Sequence, residues 1–227
     1  MSCDIEPVLP KGPVYRMARG PDPWAWADWA YAGTDGTFPG RFDDPEGEYR
    51  VLYAASTRLG AFMESLAGFR THPAVRQALA GAPDGDAAPP DSVPREWLEL
   101  RRIGKARLPG LPFADVGHSR SLAFLRERLA DAVVEHGLED LDAAAIRLSA
   151  PRRFTQLVGR LAFDCTDASG EPQFTGLRYA SRLGDELHDW ALFERPDSAL
   201  IASQHEPVDE DDPDLTLALE RLGLRLV

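Results

Sequence analysis

The sequence predicts a chain that interleaves strands and helices, of α+β or mixed α/β class. Three observations carry this expectation. Short runs rich in β-branched and aromatic residues recur, among them RVLYA, GLRYA and DWALF. Between them lie stretches with apolar residues at helical spacing, without the regular strand–helix–strand repeat of a parallel fold. With 227 residues, 44% of them hydrophobic, the chain can bury a substantial core in one large domain or two small ones.

Residues 1–13 hold three prolines and no periodicity, which predicts an irregular lead-in with Cys3 in a mobile terminus. Residues 14–18 read as a short strand. From residue 20 to 38, Trp24, Trp26, Trp29 and Tyr31 stand among Pro, Gly and Asp, as in a long loop pinned by aromatic side chains. Residues 36–44, GTFPGRFDD, set a Phe on each side of Arg41 and predict a constrained turn or short strand, closed by Pro45 and Gly47. Residues 50–54 form a strand that leads into a helix capped by Ser56 or Thr57. There Leu59, Phe62, Met63 and Leu66 draw one apolar stripe, with Glu64 beside it.

Residues 71–94 are low in hydrophobicity and predict a linker or mobile flap. Residues 97–106 read as a strand, 120–135 as an amphipathic helix, 143–149 as a short strand or helix start, and 152–162 as a helix. Strands follow at 176–180, ending in Ser181, and at 189–193. Residues 206–214 contain six acidic side chains, read as a solvated end or a docking surface, and leucines at helical spacing occupy 215–224.

A net charge of −12 and a pI near 4.8 argue against nucleic-acid or anionic-membrane binding, so an anionic ligand requires a local basic pocket. Cys3 and Cys165 are too few for a disulfide framework or a cysteine metal cluster, and a reducing cytoplasm fits them best. No basic start precedes an apolar run, and no stretch approaches the ~20 apolar residues of a membrane span. Glycine-rich dinucleotide, P-loop, H-E-x-x-H and C-x-x-C motifs are absent. The five histidines are scattered through polar segments and receive no role.

Seven polar residues stand at the edges of strands and turns: Arg16, Arg41, Tyr53, Glu64, Arg178, Tyr179 and Ser181. An arginine in an apolar strand, as Arg16 is, must be ion-paired or face a ligand. Arg41 either pairs with Asp43 or Asp44, or offers its planar fork of donors to a phosphate or carboxylate. Glu64 reads alone as a solvated side chain, and Ser181 as a turn residue or cap.

Taken together, YRMARGPDPW, DGTFPGRFDDP, YRVLYAASTRLGAFMESLAGFR and GLRYASRLGDELHDWALFE resemble the successive blocks of the RES family, named for an Arg, a Glu and a Ser. The blocks arrive in the family's order and place that trio at Arg41, Glu64 and Ser181. The resemblance implies an α+β single domain over residues 14–195, with a mixed, twisted β-sheet core similar to that of ADP-ribosyltransferases and flanked by helices. Residues 1–13 are then a lead-in and 196–227 an acidic extension with a short helix. Many members read Gly-Arg-Trp-Asn where this chain has Gly40-Arg41-Phe42-Asp43, and residues 71–118 look like a lineage-specific elaboration.

The resemblance further implies the toxin of a bacterial toxin–antitoxin pair that degrades NAD⁺ by phosphorolysis or hydrolysis. Arg41, Glu64 and Ser181 would be catalytic, and Arg16, Tyr53, Arg178 and Tyr179 would bind substrate. NAD⁺ would be the substrate and inorganic phosphate the co-substrate of phosphorolysis, with no cofactor and no metal. A helix-turn-helix antitoxin and a second copy of the chain are the expected partners. The chemistry suits these residue types, because an oxocarbenium-like ribose calls for a nearby carboxylate and a pyrophosphate for forked cations. Tyr53 would stack on nicotinamide, Ser181 would bond a ribose hydroxyl or the carboxamide, and Arg178 or Arg182 would hold an acceptor phosphate. Two rival readings remain: ADP-ribose transfer to a macromolecule, and a non-catalytic binding module whose Arg41 is satisfied by Asp43.

Overall fold

The computed structural model describes residues 3–79, 89–108, 112–147, 151–195 and 201–227. In chain order the strands are β1 (Pro7–Val8), β2 (Val14–Arg19), β3 (Val51–Ala55), β4 (Ser92–Val93) and β5 (Arg101–Arg107). They continue as β6 (Phe113–Asp115), β7 (Gly176–Ala180), β8 (His188–Phe193), β9 (Ile201–Pro207) and β10 (Arg225–Leu226). The helices are α1 (Arg58–Leu66), α2 (Pro73–Leu79), α3 (Arg95–Glu99), α4 (Ser119–Arg128), α5 (Ala130–Glu135), α6 (Ala143–Arg147), α7 (Arg152–Asp164) and α8 (Pro213–Leu222).

Eight strands form one mixed sheet in the order β1-β6-β7-β8-β3-β2-β5-β9, with β6 and β7 parallel and the other neighbours antiparallel. β4 and β10 pair separately. The α+β expectation therefore holds, and its reason is visible in the strands. β8 alternates Trp190 and Leu192 with Ala191 and Phe193, all buried, so both of its faces are covered. On one face α4 to α7 enclose Leu125, Ile146, Phe154 and Val158 against Leu177, Ala191 and Phe193. Elsewhere α1 and α8 bury Phe62, Leu66, Leu215 and Leu222 around Met17 and Ile103.

The aromatic loop is pinned as the composition suggests. Trp24 is buried against Gly104 of β5, where a methyl group would collide with the indole. Trp29 leans on Phe38, and the Arg50 guanidinium lies over its ring.

Several segments differ from expectation. Residues 97–106 are not one strand, because Pro94 starts the short helix α3 before β5 begins. Residues 120–135 are two helices, α4 and α5, that meet at Leu129. Part of the expected flap at 71–94 is α2 and β4, while residues 80–88 lie outside the described residues. The C-terminal segment is built into the domain, since β9 pairs with β5 and α8 packs on α1. Its acids have structural partners. Asp212 caps α8 and takes the Arg58 guanidinium at 2.5 Å, Glu206 pairs with Arg58 at 2.9 Å, and Glu210 pairs with Arg95.

The lead-in is likewise tied down. Ile5 is in the core, β1 joins β6, and Cys3, far from being mobile, forms a buried disulfide with Cys165 at the end of α7. The pairing removes the inference of a reducing compartment that rested on two isolated cysteines. Among the described residues no helix is long and apolar enough to cross a membrane, and no group of three or more His, Cys, Asp or Glu could hold a metal ion. Because the bridge spans a sequence separation of 162 residues, its removal by Cys3→Ser is expected to lower stability by about 2–5 kcal/mol, toward the upper end. Urea unfolding with and without reductant checks this, and the native chain in reductant should match the variant.

Candidate functional site

The site is assembled from α1, the turn around Arg41, and strands β2, β3, β7 and β8. Thr57 starts α1 by accepting a hydrogen bond from Gly60 N at 3.0 Å, the capping expected from sequence. The helix turns Phe62, Met63 and Leu66 into the core and leaves Glu64 exposed at the wall of a half-open cavity of about 370 Å³.

The Arg41 turn is held from three sides. Its Asp43 is bent inward, accepting from Gly40 N at 2.5 Å and from the Tyr53 hydroxyl at 2.7 Å. That hydroxyl also accepts from Phe42 N at 2.8 Å. From α7, the Gln156 amide donates to Phe38 O and Gly40 O. Gly159 lets the Phe42 backbone approach so closely that a methyl there would lie 2.7 Å from Phe42 O. Phe42, fully buried, packs on the Tyr179 ring with centroids 4.8 Å apart.

This leaves Arg41 without the partners its neighbours in sequence offered. Asp43 is engaged as described, and Asp44 accepts from Glu48 N and faces Arg160. The Arg41 guanidinium lies 5.2 Å over the Tyr179 ring, and its buried Nη1 has no hydrogen-bond partner among the described residues. A non-catalytic module with Arg41 satisfied by Asp43 therefore loses its structural premise.

Arg16 is not ion-paired, because its Nε donates to Pro23 O and its Nη1 to Tyr53 O, both at 2.7 Å. Burial lowers its pKa to about 10, with the Tyr53 and Asp43 oxygens opposing the shift, so it remains a cation at neutral pH. It lines the cavity with Arg41, Arg152 and Arg182. These four cations, facing the carboxyls of Glu64 and Asp189, make a locally basic hollow in an acidic chain.

Tyr53 and Tyr179 present their rings to the same cavity, and burial pushes both phenols well above their usual range, so they stay neutral. The Tyr53 hydroxyl is occupied by the Arg41 turn. Ser181 is 1% exposed and does not line the cavity. Its hydroxyl donates to Glu64 Oε1 and accepts from Leu183 N at 3.0 Å, so it touches Glu64 and is not free for a ligand hydroxyl. Arg178 is a correction. Strand alternation aims Tyr179 at the cavity and Arg178 at the opposite face, where it pairs with Asp115 at 2.6 Å.

Two charged cavity residues escaped sequence reading. Arg152 begins α7 and had no motif to mark it. Asp189 is 2% exposed on β8, in register with Ala55 of β3 and Tyr179 of β7. An acid in step with Ala191 and Phe193 was the available signal. Burial, reinforced by the charge of Glu64 and a hydrogen bond with it, raises the Asp189 carboxyl well above the usual range, against the pull of Arg41.

Comparison with known proteins follows the same lines. The family model described as "RES domain" matches residues 13–219. A chain in the crystal structure of the M. tuberculosis MbcT–MbcA toxin–antitoxin complex has the same fold. It has 15% identity and a TM-score of 0.53, over 96% of this chain and 92% of that one. No curated protein matches.

Removing the hydroxyl that joins the turn to the sheet leaves the Phe42 N–H and one Asp43 oxygen without their partner. Tyr53→Phe is therefore expected to cost about 1–3 kcal/mol of stability, read by urea unfolding. A loss below a few tenths would show that the clamp is not structural.

Proposed function

Because the chain belongs to the RES family, whose model spans residues 13–219, we propose that it is an NAD⁺-degrading enzyme that cleaves the nicotinamide–ribose bond. The observation that carries the reading is the meeting of Glu64 with Arg41, Arg152 and Arg182 around one cavity. A dinucleotide brings to such a site an anionic pyrophosphate and a ribose that becomes cationic in the transition state. Arg41, with unsatisfied donor capacity, is the pyrophosphate ligand, supported by Arg152 and Arg182. Arg16 contributes its charge while its carbonyl bonds brace β2 against β3.

In the proposed reaction the C1′–N bond breaks and its electron pair leaves with nicotinamide, whose ring nitrogen thereby becomes neutral. No general acid is needed for that departure. Positive charge grows on C1′ and O4′ of the ribose, where the Glu64 carboxylate lowers its energy. A phosphate oxygen then bonds C1′ in phosphorolysis, or a water does so and releases a proton in hydrolysis. Ser181 acts through Glu64 by holding the carboxylate, and the Tyr179 ring carries the Arg41 guanidinium at the cavity wall. The toxin of a toxin–antitoxin pair is the physiological role proposed, acting on bacterial NAD⁺. The similar fold found in a toxin–antitoxin complex supports it.

Purified chain is expected to release nicotinamide from NAD⁺, measured by chromatography. ADP-ribose 1″-phosphate as product indicates phosphorolysis, free ADP-ribose indicates hydrolysis, and a mass gain on a macromolecule indicates transfer. Glu64→Gln keeps the size and removes the charge, and should lower kcat more than about tenfold. An unchanged rate would refute the role of Glu64. Arg41→Ala should chiefly raise KM, and a fall in kcat at constant KM would refute its role at the phosphates.

A further inference from the structure

Among the described residues, Asp189 is the buried carboxyl that lines the cavity, and no motif led to it. Its Oδ2 meets no donor among the described residues, and the nearby Arg41 guanidinium keeps its own Nη1 unpaired and does not reach it with that atom. The carboxyl instead shares one corner of the cavity with Glu64: Asp189 is in register with Tyr179, and Ser181, two residues beyond Tyr179, bonds Glu64. Two ionised carboxylates offer only acceptors to one another and repel, so a hydrogen bond between them requires a proton. Glu64 is exposed to water and already receives the Ser181 hydroxyl, whereas Asp189 is 2% exposed. Desolvation penalises charge far more on the buried partner, and the proton belongs there.

We propose that Asp189 is a positioning residue that keeps its proton and donates a hydrogen bond to Glu64, so that Asp189 and Ser181 together hold the Glu64 side chain aimed at the cavity. The proposal rests on the reading of Glu64 as the carboxylate beside the ribose. It differs from that reading in making the carboxylate depend on a neutral acid behind it.

The charged and titratable groups around the pair come from every packed element. α1 supplies Glu64, the turn Arg41, β7 Tyr179, α7 Arg152, the segment after β7 Arg182, β2 Arg16, and β3 Tyr53 with Asp43 behind it. His188, the preceding residue on β8, lines a separate hollow with Trp190. Burial and Glu64 favour the proton on Asp189, and Arg41 opposes it. The folded chain therefore binds a proton that the unfolded chain has lost once the pH exceeds the ordinary carboxylate range. The stability this proton confers is complete at low pH and disappears as the pH rises through the apparent pKa of the pair. Above it, a second negative charge would press on Glu64 and displace it, so cleavage should decline on the alkaline side.

The test compares the full native chain with Asp189→Asn, whose amide donates a hydrogen bond but does not titrate. Urea unfolding followed by tryptophan fluorescence is run from about pH 5 to about pH 9. Relative to the variant, the native unfolding constant should rise by up to about tenfold per pH unit across the window. Parallel curves would overturn the proposal. If Asp189→Asn does not fold, Glu64→Gln reads the pair from its exposed side. Relief of repulsion should then make the native slope shallower, and an unchanged slope counts against the shared proton.

Nicotinamide release supplies the second reading. Asp189→Ala should slow cleavage more than about tenfold, and Asp189→Asn should restore most of that loss while flattening the alkaline decline. Equal defects in Ala and Asn variants would overturn the donor role. A pH-dependent stability difference in a chain that leaves NAD⁺ intact would sustain the shared proton and remove only the assigned substrate.

Discussion

Tyr53 projects from β3, in the middle of the sheet, and its buried hydroxyl accepts from Phe42 N while donating to Asp43. Through those two bonds an irregular turn acquires the rigidity of a strand. Asp43, drawn inward, is removed as a counter-ion for Arg41, and Phe42 is seated between α7 and Tyr179. The guanidinium is then left over an aromatic face with donors to spare. A cation kept available in this way binds an anion at a smaller reorganisation cost than one that must first leave an ion pair.

The same logic governs the charges of the cavity. The chain carries a net charge of −12, and many of its arginines pair with acids, as Arg160 does with Glu46, Glu48 and Asp164. Around the cavity the pattern inverts: Arg16 is satisfied by carbonyls, which hold it without neutralising it. Asp189 contributes no charge while protonated, so among the described residues Glu64 is the one exposed acid facing the four arginines of the cavity. An anionic ligand gains from that balance, and a developing cation finds its carboxylate in a fixed place.

Much of this was legible in the sequence because periodicity and capping are local. The strand–cap–helix run from Val51 to Leu66 follows from a β-branched stretch, a Thr and an apolar stripe, and the structure keeps each part. The constrained turn at Arg41 followed from glycines and phenylalanines. What a local pattern cannot carry is which face of a strand meets which hollow. Arg178 and Tyr179 are adjacent and looked equally suited to a ligand, yet alternation sends them to opposite sides of β7. Asp189 was hidden for the complementary reason. An acid beside Trp190 reads as a strand end, and its meaning appears only when β3 and β7 flank it and Glu64 arrives from α1. The disulfide depends on the same long-range information, since Cys3 and Cys165 are joined only by how the chain closes.

Glu64 also ties the end of the chain to the chemistry. Ser181 and Asp189 come from one hairpin, closed by Ser181 N to Leu187 O at 2.8 Å, whereas Glu64 comes from α1. The carboxylate is correctly placed only if helix and hairpin keep their relative position. α1 is held there by α8, through Leu215, Ala218 and Leu222 against Phe62 and Leu66, and by Arg58 clasped between Asp212 and Glu206. The acidic segment that composition suggests is solvated thus has a mechanical function. Its carboxylates neutralise the arginine at the start of the helix whose other face presents Glu64, and its leucines fix that helix to the sheet. A C-terminal element with no cavity residue of its own thereby sets the geometry of the residue on which the proposed reaction turns.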